Sequence, residues 1–526
     1  MGFSATGYLP KKGFSALLVA ALVVELPLTG CMITSAFIHR EPRLAQVWSF
    51  EADARVGTQA AVDAEWWKSF QDPALDRLIE LAYQQNLPLQ VSGLRIAEAR
   101  AQVGIALGDQ FPEIDAVGAI TKEQVSNRVA TGPVLDRNFS NYQAGFDAVW
   151  EVDFWGKYRG EVKARRAQLE ASKADYQNAL VSLSAEVART YTLLRTNEVL
   201  LELAHENVRL QEEGLRIADA RLRFGTTTEL DVSQARSLLE STRATIPEIQ
   251  AQLDQSLNAM SVLLGEPPGA VQDLLCGPQA IPVAPATVAI GVPAQLLRRR
   301  ADIRSAEWNA LAQFDRIGVA KSDFFPSFTI LGNFGWEAGD RGDIFEEGSD
   351  FYSFGPSVRW PILNFGRIRN NVRAQDARFQ QAVVNYHDTV LRAAQEVEDA
   401  LTGFLNSQDS FAATQNSRDA ARRSVEIAFV QYREGAVDFQ RVIDTQRELL
   451  QEENNLAQTQ SLVATYLIAL YKALGGGWEV REGRPVIADC MRAEMEQRTH
   501  WGDLLEPAVN SSEGDVPCRT TMPNPK

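Results

Sequence analysis

Apolar residues recur at helical spacing along long tracts of this chain. No proline occurs between Pro361 and Pro485, and apolar side chains follow one another at steps of three, four or seven from Val372 to Phe404. Such a heptad-like stripe is typical of helices that pack in a coiled coil. The longest predicted helix would reach about 100 Å at ~1.5 Å per residue. The pattern predicts two antiparallel helical hairpins, with helices over residues 157–224, 230–264, 366–434 and 442–474.

The second half of the chain repeats the first. Three pairs of glycines stand 210 residues apart, namely Gly156 and Gly366, Gly225 and Gly435, and Gly265 and Gly475. The dipeptides Phe111-Pro112 and Phe325-Pro326 stand 214 apart, so the second copy is four residues shorter in a segment where a loop can absorb the change. The offset predicts one elongated domain with an internal two-fold structural repeat, and it argues against several unrelated domains.

Between the predicted helices of each half lie two segments in which apolar and polar residues alternate. These segments are Ile114–Ile120, Tyr142–Val152, Phe328–Trp336 and Tyr352–Ile362. Strands of about ten residues with one apolar face are typical of an outer-membrane β-barrel, in which every strand edge is paired. Four strands cannot close a barrel, but three copies of the chain would supply twelve. The alternative is a soluble four-stranded sheet that packs on the helices.

Composition and motifs argue against several other classes of function. The chain has 526 residues, a formal net charge of −16 and no clustered basic face, so we expect no nucleic-acid partner. The cysteines form no C-x-x-C pair and stand near no histidine pair, so we expect no metal site. No nucleophile elbow, phosphate-binding loop or paired-carboxylate site stands out. We therefore expect neither an enzyme nor a bound cofactor.

The N-terminal residues have the shape of a secretory leader. Lys11 and Lys12 precede an apolar run over Phe14–Leu26, which is too short to span a bilayer. The sequence Leu28-Thr29-Gly30-Cys31 follows, and it resembles the lipobox of a bacterial lipoprotein signal. This resemblance implies a signal peptide over residues 1–30, lipidation of Cys31, and an outer-membrane destination because Met32 is not aspartate. A plain cleaved signal and an uncleaved anchor are the alternatives.

Several short motifs occur in a fixed order between Trp66 and Leu474. They are Trp66–Phe70 with Asp72–Asp76, then Asp153–Lys157, Arg299–Arg304 and Asn364–Arg367. In their order and spacing these motifs resemble the outer membrane factor family, the TolC-, OprM- and NodT-like channels of Gram-negative tripartite export systems. The resemblance implies a passive outer-membrane channel that works with a periplasmic adaptor protein and an inner-membrane pump.

The fold implied is an α+β membrane protein. Three copies would form a homotrimer with a 12-stranded β-barrel in the outer-membrane lipid and a long α-barrel that crosses the periplasm. The expected segments are the signal (1–30), an N-terminal segment with first equatorial helices (31–110), repeat one (111–274), inter-repeat equatorial helices (275–324), repeat two (325–477) and a largely disordered tail (478–526). Arg298-Arg299-Arg300, the only basic run, is interpreted as a solvated helix face.

The resemblance also implies roles for particular residues. Gly156 and Gly366 would form strand-to-helix turns, and Gly225 and Gly435 would form helix tips that contact the adaptor. TolC-like members carry gate aspartates six and nine residues after the tip glycine. Here Asp444 matches at +9 from Gly435, Arg441 departs at +6, and Asp231 stands at +6 from Gly225. The three are candidate periplasmic gate residues, and ordinary first-turn or solvated positions are the alternative.

A different class of function also fits part of the pattern. A lipid-anchored periplasmic coiled-coil scaffold or adaptor would need the long helices but no pore. Resistance of a trimer to heat and SDS would favour the channel, whereas release from the membrane after mutation of Cys31 would favour the scaffold. The sequence does not indicate the exported substrate, the particular pump and adaptor, or the state of Cys276. Cys490 and Cys518 could pair in an oxidising periplasm or stay idle.

Overall fold

The structure of this chain is a computed structural model. It describes residues 45, 47–50, 52–57, 64–124, 126, 128, 138–275, 279–291 and 299–505. The leader with Cys31 therefore lies outside the described residues, as do Cys276 and Cys518. The helices are α1 (Pro73–Gln85), α2 (Leu87–Gly108), α3 (Lys157–Arg223), α4 (Glu229–Leu263), α5 (Ala301–Ser322), α6 (Arg367–Arg433), α7 (Phe439–Ala473) and α8 (Asp489–Arg498). The strands are β1 (Val56–Gly57), β2 (Glu113–Gln124), β3 (Asn138–Val152), β4 (Val288–Ala289), β5 (Ser327–Ala338) and β6 (Asp350–Arg359).

The long helices come in two pairs of equal length. Helices α3 and α6 each have 67 residues, and α4 and α7 each have 35. The members of each pair begin 210 residues apart (367−157 and 439−229), which is the offset of the glycines. Helix α4 continues through Pro247, which lies in its interior. Helix α7 begins at Phe439, three residues before the predicted start, because Asp438 caps it.

The four longer strands form one antiparallel sheet in the order β2-β3-β5-β6. Its register places the alternating apolar residues in common rows, such as Ala116–Phe146–Phe334–Tyr352. The next row, Asp115–Asp147–Asn333–Ser353, lies on the opposite face and is polar. Strand β6 ends at Arg359 rather than at the predicted Ile362, because Pro361 has no N–H to donate to a strand ladder.

The chain divides into two compact units. One contains Gln102–Ala167 and Ala310–Gln381, and therefore holds the sheet with the adjoining helix ends. Its helical part packs through small and aromatic side chains; the rings of Phe314 and Phe379 lie 5.4 Å apart. Apolar residues of the sheet stay open to the surroundings, with Phe354 76% exposed.

The other unit contains Arg40–Ala101, Gln168–Asn309 and the chain from Ala382 onward. Its main core gathers aromatic residues from both halves of the sequence: Trp66 stacks on Tyr471 at 5.3 Å between ring centroids. The hydroxyl of Tyr191 donates a hydrogen bond of 2.7 Å to Asp72, whose carboxylate also caps α1. Trp66 and Asp72, which belong to the first two motifs of the sequence, thus hold the start of α1 against the long helices α7 and α3.

The prediction of a largely disordered tail is wrong for residues 478–505. This segment contains α8, and its Ile487, Met495 and Leu505 are buried in a small cluster with Ala97 of α2. The apolar residues of this segment are widely spaced in a polar sequence. In the fold they nevertheless pack together in one cluster with α2. Cys490 is disulfide-bonded.

The inter-repeat segment and its basic run also differ from expectation. Residues 288–289 form strand β4, which pairs in parallel with β1. Within the described part of 275–324 there is one long helix, α5, where several helices were expected. Arg300 is buried rather than solvated. Its guanidinium bonds to Asp302 and Glu396, and it donates to the carbonyl oxygen of Ala473 at the end of α7. Two carboxylates and a helix end thus compensate its burial.

Candidate functional site

Each helical hairpin turns back on itself through a glycine. Gly225 (φ 70°) follows α3 and Gly435 (φ 76°) follows α6, and both have the positive φ that glycine tolerates. The N–H of Thr226 bonds to the Arg221 carbonyl, and the N–H of Ala436 bonds to the Gln431 carbonyl. These are Schellman turns, which satisfy the last carbonyls of a helix. The two tips are therefore short and alike in backbone.

The return helices begin with polar contacts. The carboxylate of Asp438 accepts a hydrogen bond of 3.2 Å from the backbone N–H of Arg441 and so caps α7. At the other tip, the hydroxyl of Thr227 donates to the carboxylate of Asp231. In both tips a carboxylate lies near the positive end of a helix dipole.

An apolar core lies directly behind the two tips. It contains Ala218 and Val232 of the first hairpin together with Phe439, Val442 and Ile443 of the second. Val442 and Ile443 are at most 1% exposed. Because residues of both hairpins share this core, the tips are held side by side within one chain.

One contact links the hairpins at the tips themselves. The guanidinium of Arg221, in the last turn of α3, donates a hydrogen bond to the carbonyl oxygen of Tyr432 in α6. Its Cζ atom also lies 4.5 Å from the centroid of the Tyr432 ring, which packs in turn on Phe439. Tyr432 is 2% exposed, and burial raises the pKa of its hydroxyl. We call this contact the Arg221–Tyr432 tether.

The tether was not predicted. In the sequence Arg221 is one of two arginines in the last turn of α3, where a basic residue is favoured by the helix dipole alone. Arg221 differs from Arg223 only because the second hairpin packs against it, whereas Arg223 is exposed.

The predicted gate residues all lie near the tips. Asp444 is exposed and accepts a hydrogen bond of 2.8 Å from Gln440 of its own helix. Arg441 is exposed and makes no ion pair within the part of the chain that the structure describes. Asp231 lies on the first hairpin, where its carboxylate accepts a hydrogen bond from Thr227 of the same tip. Within a single chain, no hydrogen bond or ion pair among the described residues joins these three.

Farther from the tips, a buried polar cluster joins the hairpins. Glu453 of α7 is 5% exposed, and its carboxylate accepts hydrogen bonds from Asn207 of α3 (2.9 Å) and Arg422 of α6 (2.8 Å). Gln446 and Gln211 are also buried close by in sequence. Buried polar contacts of this kind fix the register of packed helices.

The strand-to-helix turns carry the remaining predicted residues. Gly156 (φ 79°) directly precedes α3, and Gly366 (φ 84°) directly precedes α6. The carboxylate of Asp153 accepts hydrogen bonds from the backbone N–H and the guanidinium of Arg159. Because the bonds fix the first turn of α3, the motif Asp153–Lys157 acts as a helix start.

The described residues contain neither a metal-binding cluster nor a membrane-spanning helix. Among the residues described, no group of histidine, cysteine, aspartate and glutamate side chains could hold a metal ion. In the same residues, every helix is too short or too polar to cross a lipid bilayer.

Comparison with known proteins identifies the family. Residues 78–266 and 292–476 match the family model described as "Outer membrane efflux protein". The solvent efflux pump outer membrane protein SrpC of Pseudomonas putida is 30% identical over 464 residues, which cover 87% of this chain and 97% of SrpC. The probable outer membrane lipoprotein SilC of Salmonella typhimurium is 28% identical over 453 residues, covering 86% and 96%. The solved outer-membrane channel OprN superposes with a TM-score of 0.80 at 30% identity, covering 85% of this chain and all of that one.

The chain therefore belongs to the outer membrane efflux protein family, and the resemblance to outer membrane factors is confirmed. It is an outer-membrane channel component of an efflux system, a conduit for transport, and it is located in the outer membrane. The comparisons support the channel over the scaffold without a pore.

Proposed function

We propose that three copies of this chain form the channel. The sheet has two edge strands, β2 and β6, and among the described residues each of them pairs along one side only. Unpaired edges are not stable in a membrane, and three sheets joined edge to edge would close a barrel of twelve strands. The apolar rows would then face lipid and the polar rows the lumen. Light scattering of the purified protein should give the mass of three chains, and a monomer would contradict the proposal.

The conduit would serve a tripartite system. A periplasmic adaptor would contact the tips at Gly225 and Gly435, and an inner-membrane pump would supply the energy, since the channel has no energy source of its own. The relative SrpC is named as the outer membrane protein of a solvent efflux pump. Disulfide cross-linking of cysteines placed at exposed tip positions, such as Thr226 and Ala436, should trap the adaptor in cells.

We further propose that the tips form a periplasmic gate. The observation that carries this proposal is the Arg221–Tyr432 tether, because it binds the end of one hairpin to the other. An equivalent tether in each of three chains would hold the tips in a closed arrangement. Asp444 is exposed, so three copies of its carboxylate could form a ring that narrows the pore and favours cations. Arg441 would lie one turn away and moderate that charge.

Replacement of Asp444 by alanine tests the carboxylate ring. In planar bilayers the wild type should show steady low-conductance events, and Asp444→Ala should show larger ones with weaker cation selectivity. Glu448→Ala, one turn farther along the exposed side of α7, is the matched control because it removes the same charge. Equal conductance of wild type and Asp444→Ala would place the gate elsewhere.

We propose that Cys31 carries lipid at the mature N-terminus. The lipobox Leu28–Cys31 supports this, as does the name of the relative SilC as a probable lipoprotein. Cys31→Ala should abolish incorporation of labelled palmitate. The variant should nevertheless stay in the outer membrane, because the sheets hold it there. Its release as a soluble protein would contradict a membrane-inserted barrel.

A further inference from the structure

A cationic cavity of about 280 Å³ lies between the C-terminal segment 478–486 and helices α2 and α3. Arg100 and Lys173 line it from the helices, and Trp478, Arg481 and Arg484 line it from the segment. Among the described residues of the lining, Glu482 carries the one carboxylate. The cavity is therefore basic, although the whole chain carries a formal net charge of −16.

The charges around this cavity are only partly neutralised. Lys173 pairs with Glu170 at 2.8 Å, and Arg484 approaches Glu80 at 3.6 Å. Arg481 makes no ion pair with any residue that the structure describes. In the lining itself, four basic side chains face a single carboxylate among the described residues, and Arg481 is the one whose charge no ion pair offsets there.

Two buried donors in the lining also lack acceptors. The Nε1 atom of Trp478 and the Nε atom of Arg481 are inaccessible to solvent, and neither meets a hydrogen-bond acceptor among the described residues. Buried donors are rarely left unsatisfied, because a donor that loses its bonds to water and gains no acceptor destabilises the fold. The Trp478 ring is itself held in place, since the Arg304 guanidinium lies 4.6 Å from its centroid and bonds to Gln177.

We propose that this cavity binds a small oxyanion, a phosphate or a carboxylate group. Arginine guanidinium groups present paired N–H donors that match the oxygens of both groups. The volume suits one such group with a few waters, since a water occupies about 30 Å³, and it is too small for most drug-sized ligands. The site goes beyond conduction: a bound oxyanion would fasten the segment 478–486 to α2 and α3.

Calorimetric titration of the purified full-length oligomer tests the proposal. The probes are inorganic phosphate and succinate, each at constant ionic strength set with sodium chloride. We expect saturable binding of at least one probe with one site per chain. Arg481→Gln should weaken it about tenfold or more, since a lost charge-assisted hydrogen bond is worth at least about 1.5 kcal/mol. Arg498→Gln is the matched control, because Arg498 is an exposed arginine in the same C-terminal region outside the cavity.

The outcomes separate the alternatives. Binding of phosphate alone identifies a phosphate site, and binding of succinate alone identifies a site for carboxylate groups. If Arg481→Gln does not assemble, Trp478→Phe replaces it, because this change removes the indole donor and keeps the ring; it should also weaken binding. The proposal is overturned if neither probe binds saturably, or if Arg498→Gln weakens binding as much as the cavity variant.

Discussion

Arg221→Ala is expected to produce larger and more frequent openings of the channel in planar bilayers. The change removes the hydrogen bond to the Tyr432 carbonyl and the contact of the guanidinium with the Tyr432 ring. A charge-assisted hydrogen bond is worth about 1.5–3 kcal/mol, and a cation–π contact adds about 0.5–2 kcal/mol. Loss of even about 2 kcal/mol would shift the ratio of closed to open tips roughly 30-fold.

Two variants control this experiment. Arg223→Ala removes the same charge from the same helix turn, but Arg223 is exposed, so its conductance should equal that of the wild type. Tyr432→Phe keeps the ring and the carbonyl oxygen and should also stay closed. If Arg221→Ala and Arg223→Ala behave alike, the tether does not hold the gate.

Gly335→Val is expected to abolish assembly of the channel. A Cβ atom at Gly335 would lie 2.5 Å from the carbonyl oxygen of Ala144 and 2.9 Å from the Cα of Gly145. Both obstacles are backbone atoms of β3, so no side chain can move aside. These residues form the pairing of β3 with β5, where the two halves of the chain join in one sheet. We expect a loss of at least about 3 kcal/mol and no SDS-resistant oligomer in the outer-membrane fraction.

Gly355→Val is the matched control for this prediction. Gly355 lies on β6 of the same sheet, and a Cβ atom there would meet no heavy atom within 4 Å. This variant should assemble at close to the wild-type level. Normal amounts of SDS-resistant oligomer from Gly335→Val would mean that β3 and β5 can separate without harm to the channel.

The local features of the fold could be predicted because their signals lie close together in the sequence. Helices α3 and α6 differ from the predicted ranges by at most one residue at each end, since a continuous heptad stripe runs between glycines that end or precede each helix. The alternation in the strands likewise predicted which residues share a face. The pairing of β3 with β5 could not be predicted, because these strands are almost two hundred residues apart and each could pair elsewhere.

The tether and the tail were missed for a different reason. Arg221 and Tyr432 each belong to an ordinary helix pattern, and their contact depends on how closely two hairpins approach. Ile487 and Met495 are isolated apolar residues in a polar segment, and only the surface of α2 makes their burial favourable. In both cases the information lies in the distance between elements that are far apart in the chain.

The equal lengths of the paired helices restrict how this gene can change. A residue inserted in α6 alone would advance its tip by about 1.5 Å and rotate it by about 100°, so the partner of Arg221 would turn away. Seven residues would restore the facing side but leave that tip about 10 Å beyond the other. Insertions and deletions should therefore be tolerated only when all four long helices change length together. Along these helices, related sequences should differ mainly by substitution.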